Sequence, residues 1–281
     1  MADAPPEPLL AVEDLHISFG EGHERVEAVR GVGFAVSAGE VHAFIGESGS
    51  GKSVTSRALA RLLPPPPHAV VTGRVRFAGK DVLALSRHAL RRLRGRGLAY
   101  VFQEPSAAIN PAMRIGPQLL EILRVHRPEV DDRRHAALEW LDRVRLPRAA
   151  ERFRAYPHEL SGGMLQRVVI ALALACGPRL LIADEPTTAL DVTVEREIID
   201  LLASLQQELG LTVLLITHNF GIVQGFAEHV HVMRQGEIVE NGPTDRILRA
   251  PSHPYTEALI RCRPRLGAPQ SRLYTTPALS H

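Results

Sequence analysis

At 281 residues, with hydrophobic residues at 45% and charged residues at 23%, the chain has ordinary globular values. That length is enough for one large α/β domain with a helical insertion, or for two small domains. Its 33 Lys and Arg against 31 Asp and Glu leave a formal net charge of +2, too mild and too dispersed for a nucleic-acid partner. The cysteines, Cys176 and Cys262, make no disulfide or zinc framework, which suits a reducing cytoplasm. No apolar stretch reaches the roughly 18 residues of a membrane span. The N-terminal MADAPPEP has no apolar signal core. Any membrane association is therefore expected to come through a partner.

In chain order, Leu10 to Phe34 alternate as antiparallel strands do. Val41, Ala43, Phe44 and Ile45 form an apolar run that reads as a buried strand, and Ser53 to Leu63 reads as a helix. Between them lies GESGSGKS: Gly46, Glu47, Ser48, Gly49, Ser50, Gly51, Lys52 and Ser53. The proline run Pro64 to Pro67 is a rigid break, and Val70 to Phe77 alternates again, so a small antiparallel β layer is expected. Arg91, Arg92, Arg94 and Arg96 form the densest basic cluster, read as a solvated helix face in preference to a docking surface for anionic lipid headgroups. From Pro111 to Pro157 the spacing around Leu119, Leu123, Leu138 and Leu141 predicts an inserted helical subdomain. Leu180 to Ala183 reads as a core strand, Val194 to Leu209 as a helix and Thr212 to Thr217 as another core strand. Short helices are expected from Pro243 onward, and after Leu266 the chain is polar and proline-containing, as a loose tail would be.

The order strand, glycine-rich loop, helix has a direct chemical reading. Gly46, Gly49 and Gly51 permit a tight turn, so that backbone N–H groups and the positive end of the helix dipole face a common point and stabilise an anion such as triphosphate. Lys52 would reach the β and γ phosphates, and the Ser53 hydroxyl would ligate magnesium. The loop matches G-x-x-x-x-G-K-[ST], which average composition produces on the order of once in a hundred chains this long. The strand ending in Asp184 and Glu185 delivers adjacent carboxylates to the C-terminal sheet edge, where open α/β sheets bind ligands. Asp184 can hold magnesium, while Glu185, on the other side of the pleat, is placed to polarise an attacking water.

With LSGGMLQR at Leu160 to Arg167 standing just before LLIADEPTTALD, the chain resembles the nucleotide-binding subunit of an ATP-binding cassette (ABC) transporter from about Leu10 to about Arg261. The resemblance implies a P-loop α/β core with an antiparallel β subdomain and an inserted α-helical signature subdomain, at about residues 111–175 of a domain spanning 1–265. It makes Phe19 in HISFG the aromatic that stacks on adenine and Gln103 in VFQEP the glutamine that touches magnesium and water and links the site to a membrane partner. Ser161, Gly162 and Gly163 become the signature that closes on the γ-phosphate held by the opposite subunit, Asp191 in TALD the D-loop, and His218 in LLITHN the switch histidine. Read alone, Phe19 is a core or turn aromatic, Gln103 and His218 are solvated caps, and Ser161 is a helix N-cap. A cap leaves the glycine pair unexplained, whereas close approach of a phosphate would explain it.

GESGSGKSVTSRAL, LRGRGLAYVFQEPSAAINPAMRIG, LSGGM, DEPTTALDVTVE and GPTDRIL followed by HPYTEALI are similar to the oligopeptide, dipeptide and nickel importer group. Glu104, Leu165 and Asn219 depart from that group's usual aspartate, arginine and aspartate. The resemblance implies ATP and Mg²⁺, a head-to-tail dimer with a second, homologous ATPase or, as the alternative, with a second copy of this chain, two transmembrane permease subunits and, indirectly, an extracytoplasmic substrate-binding protein. It places the chain peripherally on the cytoplasmic face of the membrane. Members of the group can carry an iron–sulfur cluster in a cysteine-rich tail, but here Cys262 is the tail's single cysteine, too few for a cluster within one chain.

Overall fold

Val41–Ile45 (β3), Leu180–Asp184 (β7) and Thr212–Thr217 (β8) are buried at every position, as parallel strands covered on both faces must be. They form the centre of a six-stranded sheet in a computed structural model that describes residues 7–22, 25–188 and 190–261. With Leu98–Val101 (β6), His229–Arg234 (β9) and Glu237–Pro243 (β10), the strand order is β10-β9-β3-β8-β7-β6, parallel except for the β9–β10 hairpin. Because side chains alternate across the pleat, the sheet divides two cores. Val41, Ala43, Ile45, Leu181, Ala183, Val213 and Leu215 face one, while Phe44, Leu180, Ile182, Leu214 and Ile216 face the other.

The second core is closed by a four-stranded antiparallel sheet, β2-β1-β4-β5, made of Leu10–Phe19 (β1), Val26–Val36 (β2), Ala69–Phe77 (β4) and Lys80–Asp81 (β5). Lys52–Leu59 (α1) packs into the same layer through Ala58 and Leu59. The first core is covered by Ile115–His126 (α3), Arg133–Arg143 (α4), Ala149–Arg152 (α5), Gly162–Ala175 (α6) and Val192–Leu209 (α7). Phe220–Val223 (α8), Thr244–Arg249 (α9) and Pro254–Arg261 (α10) complete the described chain. No helix among the described residues is long and apolar enough to cross a membrane. Cys262, on which the iron–sulfur expectation falls, and the tail after Leu266 lie outside the described residues.

Three local expectations need correction. The helix expected over Ser53–Leu63 ends at Leu59, because Arg61 takes a left-handed backbone (φ 50°) just before the prolines. The helix expected from Val194 starts at Val192, because the Asp191 carboxylate caps it by accepting from the Thr193 and Val194 amides. The arginine cluster is not one solvated face. Arg87–Arg96 (α2) breaks helical geometry at Arg94 and Gly95, which turns Arg94 inward to donate to the carbonyls of Ala60 and Arg61 at 3.0 and 2.6 Å, while Arg96 pairs with Glu129. Arg94 thus satisfies carbonyls left open at the end of α1. Arg91 and Arg92 are exposed, as is Arg96 beside Glu129, while Arg94 is not.

A buried imidazole cluster ties β3 to β9. His42 Nδ1 lies 3.0 Å from His231 Nε2, His42 Nε2 lies 3.0 Å from Glu40, and the His231 ring stacks on Phe44. Burial pushes His231 down from 6.5 to about 3, with His42 and His229 adding repulsion, and burial likewise lowers His42 against the pull of Glu40. The folded imidazole therefore stays neutral where the unfolded one takes a proton, so its stabilisation is complete above pH 6.5 and is lost as the pH falls toward 3. Between pH 7 and pH 5 this amounts to about 2 kcal/mol. Thermal melts should show a falling midpoint over that range and a flatter profile in His231→Phe; parallel profiles would exclude the cluster as the cause.

Candidate nucleotide site

The C-terminal edge of the parallel sheet opens onto a cavity of about 540 Å³, lined by Ser48 through Val54 together with Gln103, Glu185 and His218. The loop's shape has local causes. A Cβ at Gly46 would sit 2.2 Å from the Met233 carbonyl, and Gly51 has φ 103°, so neither position accepts a side chain without displacing backbone. Lys52 begins α1 and is buried. Its Nζ donates to the carbonyls of Gly46 and Glu47, both at 2.8 Å, and lies 3.3 Å from Ser50 Oγ. Burial lowers the lysine, while Glu185, Asp184 and Glu47 oppose that shift. A desolvated ammonium satisfied only by neutral oxygens is poised to exchange them for an anion.

Asp184 ends β7 with no solvent exposure, and its Oδ1 accepts from Ser53 Oγ at 2.7 Å. Glu185 follows with a left-handed backbone (φ 46°), unusual for a non-glycine residue and held by its amide donating to the Ile216 carbonyl. That turn sends the second carboxylate into the cavity. Gln103 Nε2 and Thr188 Oγ1 donate to Glu185 Oε2 at 3.1 and 2.9 Å, and His218 Nδ1 lies 3.7 Å from the same oxygen. Glu185 Oε1 has no side-chain donor among the described residues.

Ser48 to Ser53, Gln103, Glu185 and His218 thus meet at one cavity, with Asp184 hydrogen-bonded to Ser53 behind it. Phe19, Ser161, Gly162, Gly163 and Asp191 are not in the cavity's lining. Phe19 ends β1, paired with Val26 and Ala69 and packed on the second core. Ser161 caps α6, its Oγ accepting from the Met164 amide at 3.4 Å. The glycine pair has in part a reason inside the chain, contrary to expectation: a Cβ at Gly163 would come within 2.6 Å of Val194 on α7, whereas Gly162 has ordinary room. Asn219, one of the departures, does the capping an aspartate would do, accepting from the Gly221 amide at 2.8 Å.

Sequence reasoning missed Thr188, Tyr100 and Tyr255. Tyr100 donates to Asp184 at 2.8 Å. Tyr255, in the HPYT stretch, accepts through its hydroxyl from the Glu47 amide at 3.0 Å and carries Arg234 over its ring. Its position follows from buried Glu240, which the Ser252 and His253 amides and the Ser252 hydroxyl hold as a carboxylate down to about 2 although burial alone would raise it. The signal for Tyr255 was present in the HPYTEALI stretch, but its contact spans 208 positions and no periodicity reveals it.

A protein-family profile described as ABC transporter matches residues 29–188, and one described as the oligopeptide/dipeptide transporter C-terminal region matches residues 239–279. An oligopeptide transport ATP-binding protein of Bacillus subtilis (strain 168) is 46% identical over 259 residues, covering 92% of this chain and 72% of the relative. A glutathione import ATP-binding protein of Escherichia coli O157:H7 is 46% identical over 268 residues, covering 92% of this chain and 43% of that longer protein. Among solved structures, the dimeric post-hydrolysis state of an ATP-binding cassette bound to ADP and Pi superposes with a TM-score of 0.73 at 28% identity, covering 84% of this chain and 98% of that one. With the profile spanning more than half of the sequence and the cavity built from its phosphate loop and Glu185, the chain belongs to the ABC transporter family, as one of its ATP-binding ATPase subunits.

Proposed function

We propose that this chain hydrolyses Mg·ATP to power import of oligopeptides or dipeptides, as a peripheral subunit on the cytoplasmic face of the membrane. The observation that carries the chemistry is the convergence of Lys52, Ser53, Glu185, Gln103 and His218 on one cavity, with Asp184 hydrogen-bonded to Ser53 beneath it. The hydroxyl of Ser53 and the carboxylate of Asp184 are hard oxygen donors that fit Mg²⁺ and would hold it, and the amide oxygen of Gln103 would be a further donor of the same kind. When bound, Mg²⁺ supplies charge neutralisation at the phosphates. Lys52 leaves its loop carbonyls for phosphate oxygens, Glu185 accepts the proton of the attacking water, and His218 with Gln103 holds that carboxylate in place. Phe19 serves as the adenine platform. Ser161, Gly162 and Gly163, aided by Asp191, close on the nucleotide of a second, homologous ATPase, which explains their absence from this chain's own cavity.

For the permease contact, the supporting feature is an apolar cleft of about 480 Å³ beside β6, lined by Leu62, Tyr100, Phe102, Ile122 and Val125 among others. Val125 is 58% exposed there, and β6, which ends two residues before Gln103, forms one wall. We assign this cleft to one of the two transmembrane permease subunits, with an extracytoplasmic substrate-binding protein acting through them. The names of relatives in peptide and glutathione import favour a peptide cargo over a nickel or metal-chelate cargo. Disrupting the gene should abolish uptake of radiolabelled di- to pentapeptides and leave nickel uptake unchanged. The reverse pattern would reassign the cargo, and loss of neither would point to an ABC ATPase outside transport.

A further inference from the structure

Both oxygens of Asp184 are held by the chain itself. Oδ1 accepts from Ser53 Oγ at 2.7 Å, and Oδ2 accepts from the Tyr100 phenol at 2.8 Å. A phenol has one proton and a carboxylate oxygen takes it, so toward Ser56 Oγ, 2.8 Å away, the phenol oxygen can only accept. The single Ser56 proton is shared between that oxygen and the Ser53 carbonyl, 3.0 Å from Ser56 Oγ. These contacts link the Ser53 hydroxyl to Asp184 on β7, Asp184 to Tyr100 on β6, and Tyr100 to Ser56 on α1. They join three elements at the point where the loop meets the sheet.

The second bond changes what the carboxylate can do. The terminal torsion of an aspartate is broad, so a single hydrogen bond at Oδ1 leaves the carboxylate plane free to turn, whereas bonds at both oxygens fix it. In a site without solvent exposure, a bond to a charged acceptor is stronger than in water. Arg57 cannot substitute, since its Nε stands 3.8 Å from Oδ2, too far for a hydrogen bond.

We propose that Tyr100 is a positioning residue for the divalent cation: its phenol fixes the plane of the Asp184 carboxylate so that this carboxylate and the Ser53 hydroxyl present to one metal ion together. The proposal rests on the Mg·ATP reading above, and it concerns metal affinity apart from turnover. Tyr100 also lines the apolar cleft assigned to the permease, so the same side chain touches both surfaces.

The test is equilibrium binding of radiolabelled ATP to the full chain, in EDTA and along a Mg²⁺ series, with Mn²⁺ spin resonance as a direct count of bound metal. Tyr100→Phe keeps the ring that fills the cleft and deletes only the hydroxyl. It should raise the metal concentration at half-saturation about five- to tenfold while changing ATP affinity in EDTA less than about twofold, in line with loss of one bond to a carboxylate. Ser56→Ala, which removes the neighbour of the phenol oxygen one step away, should shift the same half-point less. An unchanged metal half-point in Tyr100→Phe overturns the proposal, as does an equal loss of affinity with and without metal, which would mark a structural role. Wild-type protein that binds no ATP under either condition would instead remove the nucleotide reading, and the proposal with it.

Discussion

Glu185→Gln is expected to lower ATP turnover by about 10²- to 10⁴-fold, the range for loss of a positioned general base, while leaving nucleotide binding intact. The geometry supports the separation of the two effects. Glu185 reaches the cavity through its left-handed turn, and its contacts are to Gln103, Thr188 and His218 rather than to the phosphate loop. Glutamine preserves the shape and can still accept at its amide oxygen from Gln103 and Thr188, so the fold has no reason to change. What it cannot do is take a proton from water. Phosphate release measured at saturating Mg·ATP, beside equilibrium ATP binding, checks both halves. Turnover within a few fold of wild type would move the base to another group, with His218 next in line. Lys52→Ala serves as the contrasting control: it removes the ammonium held between the Gly46 and Glu47 carbonyls, and the loss should fall on binding itself.

The same site shows where a sequence speaks and where it is silent. The phosphate loop was legible because its cause is local: an apolar strand, glycines where Met233 and Ala28 approach the backbone, then a helix start, all within a short run. The carboxylate pair was legible because β7 is buried on both faces and must surface at its end. Tyr100 was not, because nothing at its own position marks it; its meaning comes from Asp184, 84 positions away. Arg94 misled for a related reason. Composition groups it with Arg91, Arg92 and Arg96, but two non-helical residues rotate it onto the end of α1, and charge counting has no access to a kink. Gly163 carried an ambiguous signal: close approach was correctly inferred, and one approaching group is Val194 of the same chain.

That ambiguity bears on assembly, where the expected effect is also large. The chain contains one phosphate loop and one LSGGM segment, and its cavity does not include the latter. Ser161 Oγ is engaged with its own helix start, at a length of 3.4 Å that is weak for a cap and can be given up. A nucleotide held by Lys52 and Ser53 would therefore find, among the described residues lining the cavity, no signature donors to cover its γ-phosphate from the far side. Removing one donor aimed at developing charge costs about 10²- to 10³-fold in rate. The isolated chain should accordingly bind ATP yet turn it over slowly, and turnover should rise by a factor of that order when a second, homologous ATPase and the permease subunits are supplied. A head-to-tail contact between two copies is the competing arrangement, since a self-complementary pair would place each signature on the other's nucleotide. Sedimentation of Glu185→Gln with Mg·ATP distinguishes them. Monomer alone, and dimer once the second ATPase is added, fits the mixed pair; a stable homodimer that also sustains full transport without any second ATPase would exclude it.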